Sequence, residues 1–571
     1  MQAIDLKDFR AATATFTTAL KRAQEAGDRP LVIHARLYRG EAYFRDNRLD
    51  ESAQDFKAAA TDAATMGERE EEWKAEFGLA RIALRKNDRL RGTELLKHSV
   101  TLIESLRSNM TNSSLRSAFL ADKHDVYDLL IENSTNASEM FTYMEQSRAR
   151  TLTDRIRQSH LASLEDAARE LPDDTALVEY WMGDTSFAIL WIFHGRSGIL
   201  RRDLSPEERR TMIGIPALLA DAKRTDWIDA LGPSARKLLA GIPPLQDPLV
   251  KRLIIVPDRF LSALPFEALP FLSGLLIDRF TVSYLPASGI LAANSTRKRA
   301  IRWFWQSSLE AFADPAPSDS RNPEPVNSQE FSRLPEAARE IGGIAESIGG
   351  RAALYSGASA VKARLLRHRD APLLHFATHA FADLDNPDLS YILLAPSSSA
   401  QRYDYLFLKE VGDLPLKNVG LVTLSACQTG IGKDVPGEGI ESFTRSFLAA
   451  GVPSVVTSLW AVPDRATSEL MIRFYSRLAK GESVADALRG AKLEFIHSKT
   501  TAAHPSNWAA FVLTGDGRAQ VPYVIGRKWL LLPIALLLLT VFAFRRRGGK
   551  APPYPVSHRR ATPGFGLRKS K

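Results

Sequence analysis

Along the chain the spacing of apolar positions changes character twice. Over residues 1–155, apolar and small side chains recur at three- and four-residue intervals, the stripe that marks amphipathic helices. Phe9, Ala12, Phe16 and Ala19 recur as Leu49, Ser52, Phe56 and Ala59, and a weaker copy follows at Gly92, Leu96 and Ser99. The offset is 40 residues each time. The helices before these copies carry Gly40 with Tyr43, then Phe77 with Ala80. Small residues let two helices approach, and a large one fills the gap between them. Stacked units of this kind present a concave surface suited to a peptide or protein partner. A generic helical bundle is the alternative. Helical spacing continues through Tyr127, Leu130, Phe141 and Met144. Glu145, Arg148 and Arg150 read as a solvated ion-pair face, or as a cap against the next domain.

From about Thr175 the period shortens, after a linker over 156–175. ALVEYW and SFAILWIF flank Gly183-Asp184 and predict a β-hairpin. Short apolar runs follow at 252–257, 372–380, 419–427 and 454–460. Helical stretches separate them at 336–348, 360–368, 439–450, 466–480 and 484–497. Alternating buried strands and helices imply a mainly parallel α/β sheet covered on both faces, spanning 176–518. Residues 306–329, rich in Pro, Ser, Asp and Asn, read as an exposed loop.

The second change is at the end of the chain. Residues 529–544 form an uncharged run of 16, bracketed by Arg527, Lys528 and Arg545. It reads as a single C-terminal membrane-anchoring helix over 527–546, followed by a basic disordered tail over 547–571. A helix buried in protein is the alternative. The net charge of +9 belongs to this region. Residues 521–571 hold eleven Lys/Arg and no acidic residue, which leaves −2 for the first 520. Basic excess confined to a tail beside an apolar run points to a membrane surface, with no nucleic acid expected. Lys/Arg are more numerous after the run than before it, yet no secretory signal opens the chain. The side of the membrane stays open, with a cytoplasmic body expected.

At 45% apolar and 25% charged residues the 571-residue chain has globular composition. Its one cysteine, Cys427, excludes an internal disulfide framework and any cysteine-cluster metal site. In an open α/β sheet, reactive side chains gather at the carboxyl ends of strands. His379 ends the strand LLHFAT, and Cys427 ends LVTLSA before a Gly-rich turn, 48 residues later. A cysteine nucleophile needs a base to hold it as thiolate, and an imidazole within hydrogen-bond reach serves. The backbone N–H groups of Cys427 and of Ala380, just after His379, are candidate oxyanion donors. Asp383 and Asp385 are the nearest acids in sequence, but a dyad works without a third member. His375 and His379 are spaced like a helical metal pair, but in a strand that spacing holds them well apart, so no metal is expected. His504 reads as structural, and Ser425 and Ser458 lack a nucleophile-elbow context. Asp464 either lines a pocket for a basic residue or caps the helix that follows it.

Several blocks in order resemble the CHAT domain, a caspase-like peptidase domain. They include Ile255-Val-Pro-Asp, Leu264-Pro-Phe-Glu-Ala-Leu269-Pro, Ser283-Tyr-Leu-Pro-Ala-Ser and Leu334-Pro-Glu-Ala-Ala-Arg-Glu340. Then come His375-Phe-Ala-Thr-His379, Leu424-Ser-Ala-Cys-Gln-Thr-Gly430, Glu438-Gly-Ile-Glu-Ser-Phe and Leu448-Ala-Ala-Gly-Val-Pro, ending in Ser458-Leu-Trp460. The helical segments resemble tetratricopeptide repeats with a lengthened period. The resemblance implies a caspase/separase-type cysteine peptidase fold, His379 and Cys427 as its dyad, and a protein substrate; no cofactor is expected. One departure is Ala380, where such peptidases often have Gly; Ala still offers its N–H at negative φ. The sequence therefore leads to a membrane-tethered cysteine endopeptidase whose repeats recruit a partner. A non-catalytic scaffold and a membrane-surface adaptor are the alternatives.

Overall fold

A computed structural model of the chain describes residues 8–110, 119, 123–148, 152, 163–291, 301–303, 306–319, 331–348, 351–367, 371–398, 400–426, 430, 433–435, 439–498, 500–525 and 539–540. The chain divides into two compact units, 1–524 and 525–571.

Among the described residues the first unit opens with five helices: α1 (Phe9–Glu25), α2 (Arg29–Arg45), α3 (Leu49–Met66), α4 (Arg69–Arg85) and α5 (Arg89–Ser108). The turns between them repeat as faithfully as the helices. Gly27 and Gly67 have φ of 68° and 76°, and Asn47 and Asn87 have φ of 59° and 63°. These are the left-handed positions that Gly and Asn tolerate best, and each pair is 40 residues apart. Asp28 and Asp88 accept from the amides of Leu31 and Arg91 and cap α2 and α5. Phe56 of α3 is buried between two glycines. A Cβ at Gly40 would meet its ring at 3.0 Å, and one at Gly78 at 2.6 Å. Ser52 Oγ donates to the Gly40 carbonyl at 2.7 Å, which ties α3 to the backbone of α2. Helices α6 (His124–Asn133) and α7 (Ala137–Ser147) extend the array, and α8 (Leu164–Glu170) leads to the sheet.

The sheet has eleven strands. In chain order they include β1 (Thr175–Met182), β2 (Ser186–Phe193) and β3 (Arg196–Asp203). After helices α9 (Pro206–Ala220) and α10 (Trp227–Leu239) come β4 (Arg252–Val256), β5 (Thr281–Tyr284) and β6 (Ser307–Pro315). Helix α11 (Pro335–Ile348) precedes β7 (Arg351–Gly357) and β8 (Leu373–Ala377). A separate three-stranded sheet of β9 (Ala380–Phe381), β10 (Tyr391–Leu394) and β11 (Asp404–Phe407) interrupts the series. Then follow β12 (Leu421–Leu424), α12 (Phe443–Ala449), β13 (Ser454–Ser458), α13 (Asp464–Ala479), α14 (Val484–Ile496) and β14 (Phe511–Gly515). The order across the main sheet is β7-β6-β8-β12-β13-β14-β5-β4-β1-β2-β3. Strands β7, β6, β8, β12 and β13 pair in parallel, as do β1, β4 and β5. β1, β2 and β3 form the expected antiparallel hairpins, and β14 runs antiparallel to β13.

Alternation within each strand sorts the core into two layers. Val178, Tyr180, Leu373, Leu421 and Val456 face one layer, closed by α9, α10, α11, α13 and α14. Leu177, Trp181, Leu374, Phe376, Val422 and Leu424 face the other, closed by α8, α12 and α7, the last helix of the array, through Met140, Phe141 and Met144.

Three expectations are corrected. The stretch 306–329 is not all loop, because residues 307–315 form β6, with Leu309, Ala311, Phe312 and Ala313 buried. Pro315 and Pro317 end this strand and disguised it, while residues 320–330 lie outside the described residues. Glu145 and Arg148 are not solvated; they are 2% and 5% exposed, and Arg150 lies outside the described residues. The membrane localisation through a C-terminal anchor at 529–544 is also overturned. Among the described residues no helix is long and apolar enough to cross a membrane. A helix of 16 residues reaches only about 24 Å against a hydrocarbon core of about 30 Å, and of that run only Leu539 and Thr540 are described.

Candidate active site

β8 and β12 lie side by side and parallel, with His375 opposite Thr423 and Phe376 opposite Leu424. Beyond the paired residues, Ser425 N donates to the Phe376 carbonyl at 2.8 Å. Both strands leave the sheet at the same rim, β8 running into Thr378-His379 and β12 into Ser425-Ala426.

His379 is half-buried. Its Nε2 lies 2.7 Å from the carbonyl of Ser332. A carbonyl oxygen only accepts, so Nε2 carries the hydrogen and Nδ1 of the neutral ring holds the lone pair. The Phe331 ring sits 5.3 Å from the imidazole. This segment is tied down by Asp314, at the carboxyl end of β6, which accepts from Arg333 Nε and from Leu334 N at 2.9 and 2.8 Å. Burial pushes the Asp314 carboxyl up, but the Arg333 guanidinium and the Leu334 amide hold it below the ordinary carboxylate value. Asp314 has φ of 40°, an uncommon value for a residue with a Cβ and one held here at the rim of the site. Asp314 and Ser332 thus position the imidazole from a distance. Sequence reasoning missed both, because one ends a strand read as loop and the other acts through its main chain. Asp383, an acid near His379 in sequence, accepts from the amides of Asp385 and Asn386 and serves a turn.

Ala380 opens β9, opposite Ile392 of β10. Leu393 N donates to the His379 carbonyl at 2.9 Å. In an antiparallel ladder hydrogen-bonded and non-bonded pairs alternate. The Ala380–Ile392 pair is therefore the non-bonded kind, and the N–H and C=O of Ala380 point away from β10.

Cys427, Gln428 and Thr429 lie outside the described residues. Their neighbours on both sides are held by one serine of β13. Ser458 Oγ donates to the Ala426 carbonyl at 2.6 Å, and Gly430 N donates to the Ser458 carbonyl at 2.8 Å. A Cβ at Gly430 would meet Thr457 Oγ1 at 2.9 Å, so only glycine fits this return. Gly430 also lines a cleft with about 770 Å³ of empty space, open to solvent. Its other walls include Asp258, Pro286, Thr457, Leu459 and Arg148. Asp464 lies elsewhere, exposed at the first position of α13, with no capping bond from its side chain.

Beneath the rim, His375 is fully buried. Its Nε2 is 2.8 Å from Glu340, its Nδ1 is 3.1 Å from the Tyr475 hydroxyl, and that hydroxyl donates to Thr423 Oγ1 at 2.8 Å. These partners pin α11 and α13 to β8 and β12. His504 bonds Ser506 and the Arg224 carbonyl, a structural role.

Glu145 accepts from the amides of Ser288 and Gly289, both at 2.8 Å. Arg148 donates to the Tyr180 carbonyl at 3.0 Å and lies 3.4 Å from Glu179. Burial pushes the Glu179 carboxyl up to about 8, helped by Glu145 and Asp258 and opposed by Arg148 and Ser288.

A helical repeat array joined to a mainly parallel α/β sheet, with a fixed histidine at the rim where the neighbouring strands β8 and β12 end, defines the class. The CHAT domain family model matches residues 229–516, half of the chain, and the chain belongs to that family. Tetratricopeptide repeat protein 28 of Mus musculus is 27% identical over 303 residues, 47% of this chain and 12% of that protein. Its Homo sapiens counterpart is 41% identical over 107 residues, 19% of this chain and 4% of that protein. The chain therefore spans only a small part of the length of these relatives. Two crystal structures of the Saccharomyces cerevisiae separase–securin complex superpose with TM-scores of 0.47 and 0.46 at 12% identity. They cover 91% and 89% of this chain, and 47% and 46% of the chain compared.

Proposed function

We propose that this chain is a cysteine endopeptidase that acts on a protein recruited by its helical array. The observation that carries the reading is His379. Its Nε2–H is committed to the Ser332 carbonyl, so Nδ1 is left as the base, at the end of a strand adjacent to the one that runs into Cys427. In the proposed reaction Nδ1 takes the Cys427 thiol proton. The thiolate sulfur adds to the scissile carbonyl carbon, the C–N bond breaks, and the imidazolium returns its proton to the leaving amine. Water then hydrolyses the thioester. The outward N–H of Ala380 and that of Cys427 are the donors for the oxyanion.

The test is labelling with a peptidyl acyloxymethyl ketone that ends at the residue before the cleaved bond. The wild-type chain is expected to be labelled, and Cys427→Ala, with unchanged melting temperature, is not. Equal labelling of both refutes the reading. A non-catalytic interaction role is the second reading, favoured by the array and by relatives named for their repeats. It predicts that Cys427→Ala retains every cellular function of the wild type.

A further inference from the structure

The three-stranded sheet beside His379 has an open edge. Its order is β9-β10-β11, so β9 has a neighbour on one side only, and no strand among the described residues pairs with the other side. Ala380 turns its N–H and C=O toward that open side, as the alternation of the ladder requires. Such an edge takes one more strand.

The face carried by this edge is aromatic. His379 and Phe381, two residues apart in an extended segment, project to the same side, with about 7 Å between their backbone positions. Phe381 stacks on Tyr391 at 5.6 Å between centroids, and Tyr391 packs edge-on against Tyr405 at 4.9 Å. Phe331 closes the other end, against both His379 and Tyr403. The inner rings of this row are buried, but Phe381 is 40% exposed. Leu384 and Leu389, in the loop that follows, are 51% and 43% exposed. Three large apolar side chains are thus left in water within ten residues of the base.

The polarity of the reaction says which part of a substrate meets them. The imidazole that protonates the leaving amine stands on the leaving-group side of the bond, and the chain continues from His379 directly into β9. We propose that Phe381, with Leu384 and Leu389, forms a specificity site for a bulky apolar side chain on the carboxyl side of the cleaved bond. The substrate lies along the open edge of β9 and donates an N–H to the Ala380 carbonyl. The inference rests on the peptidase reading above and adds a substrate class to it, an extended segment with Phe, Leu, Met or Ile just after the cut.

The experiment uses the full chain and a peptide library randomised over the three positions after a fixed cleavable bond, with products sequenced by mass spectrometry. Matched single peptides carrying Leu or Gly at the selected position then give kcat/KM ratios. Withdrawing an aromatic side chain's worth of apolar surface from water supports at least a tenfold preference for Leu over Gly. Phe381→Ala is expected to bring the ratio to within about threefold of one, and Phe381→Leu to keep most of it. A general loss of folding lowers both rates and leaves the ratio in place. A flat preference in the wild-type chain, or a ratio unchanged in Phe381→Ala, overturns the inference while leaving the peptidase reading intact. A wild-type chain that neither cleaves nor takes the acyloxymethyl ketone overturns both.

Discussion

Glu179 sits in the middle of β1 with no exposed surface, facing Arg148 and the hydroxyl of Ser288. Its carboxyl is pushed up to about 8 from an ordinary value of 4.5. Below that ordinary value the folded and unfolded chains both hold the proton. Between 4.5 and about 8 the unfolded chain releases it and the folded chain keeps it. Folding then takes up a proton, so stability falls as pH rises, by about 1.4 kcal/mol per unit, and levels off above the folded value. Glu179→Gln keeps the shape and removes the proton. Its melting temperature is expected to match wild type near pH 5 and exceed it near pH 8. Parallel melting curves for the two chains across that range would contradict this. Here the sequence misled. Glu145 and Arg148 carry the charged pattern of a solvated helix face, and only the docking of α7 on the sheet buries them. Charge type is legible in a sequence, but the partner that removes water from it comes from a distant segment.

Helices and strands differed in how plainly they could be read. The 40-residue offset located the array because small and large positions recur in it, and around Phe56 the structure shows what enforces the pattern. Phe56 fills the space that Gly40 and Gly78 leave open, with 2.6 Å between the ring and a Cβ built at Gly78. Gly78→Ala should therefore cost about 1–3 kcal/mol by overpacking, more than the helix propensity gained. Pairing it with Phe56→Leu should restore part of the loss, since the two sites share one contact. Urea unfolding followed by helical circular dichroism measures both, and strictly additive effects would argue against the contact. The strands β8, β12 and β13 were readable as short apolar runs, which put His379 at a strand end from sequence alone. β6 was not readable, because its buried alternation ends in Asp314-Pro315 and runs into a proline-rich segment. With it went the residue that holds the Ser332 carbonyl in place. A main-chain partner such as the Ser332 carbonyl leaves no side-chain signature that a spacing argument can find, and Ser458, which bonds both Ala426 and Gly430, shows its role only once β13 is placed beside β12.

On the scale of the whole molecule, one sheet runs without a break from β7 to β3. Strands β1, β2 and β3, over residues 175–203, lie before the stretch matched to the family, 229–516, yet β1 pairs with the whole of β4. A protein cut to the family's own limits would bare β4, whose Leu253 and Ile255 are fully shielded in the intact chain. Such an exposed, apolar strand border invites other copies to stack onto it. Residues 229–516 expressed alone should accordingly form soluble aggregates or inclusion bodies, while the full chain does not; a monodisperse, cooperatively melting fragment in size-exclusion chromatography would prove otherwise. Anyone dissecting this protein should place the scissors before α7. That helix, though it closes the array, lays Met140, Phe141 and Met144 into the hydrophobic layer under the sheet, so the helical array and the α/β domain share a common keel.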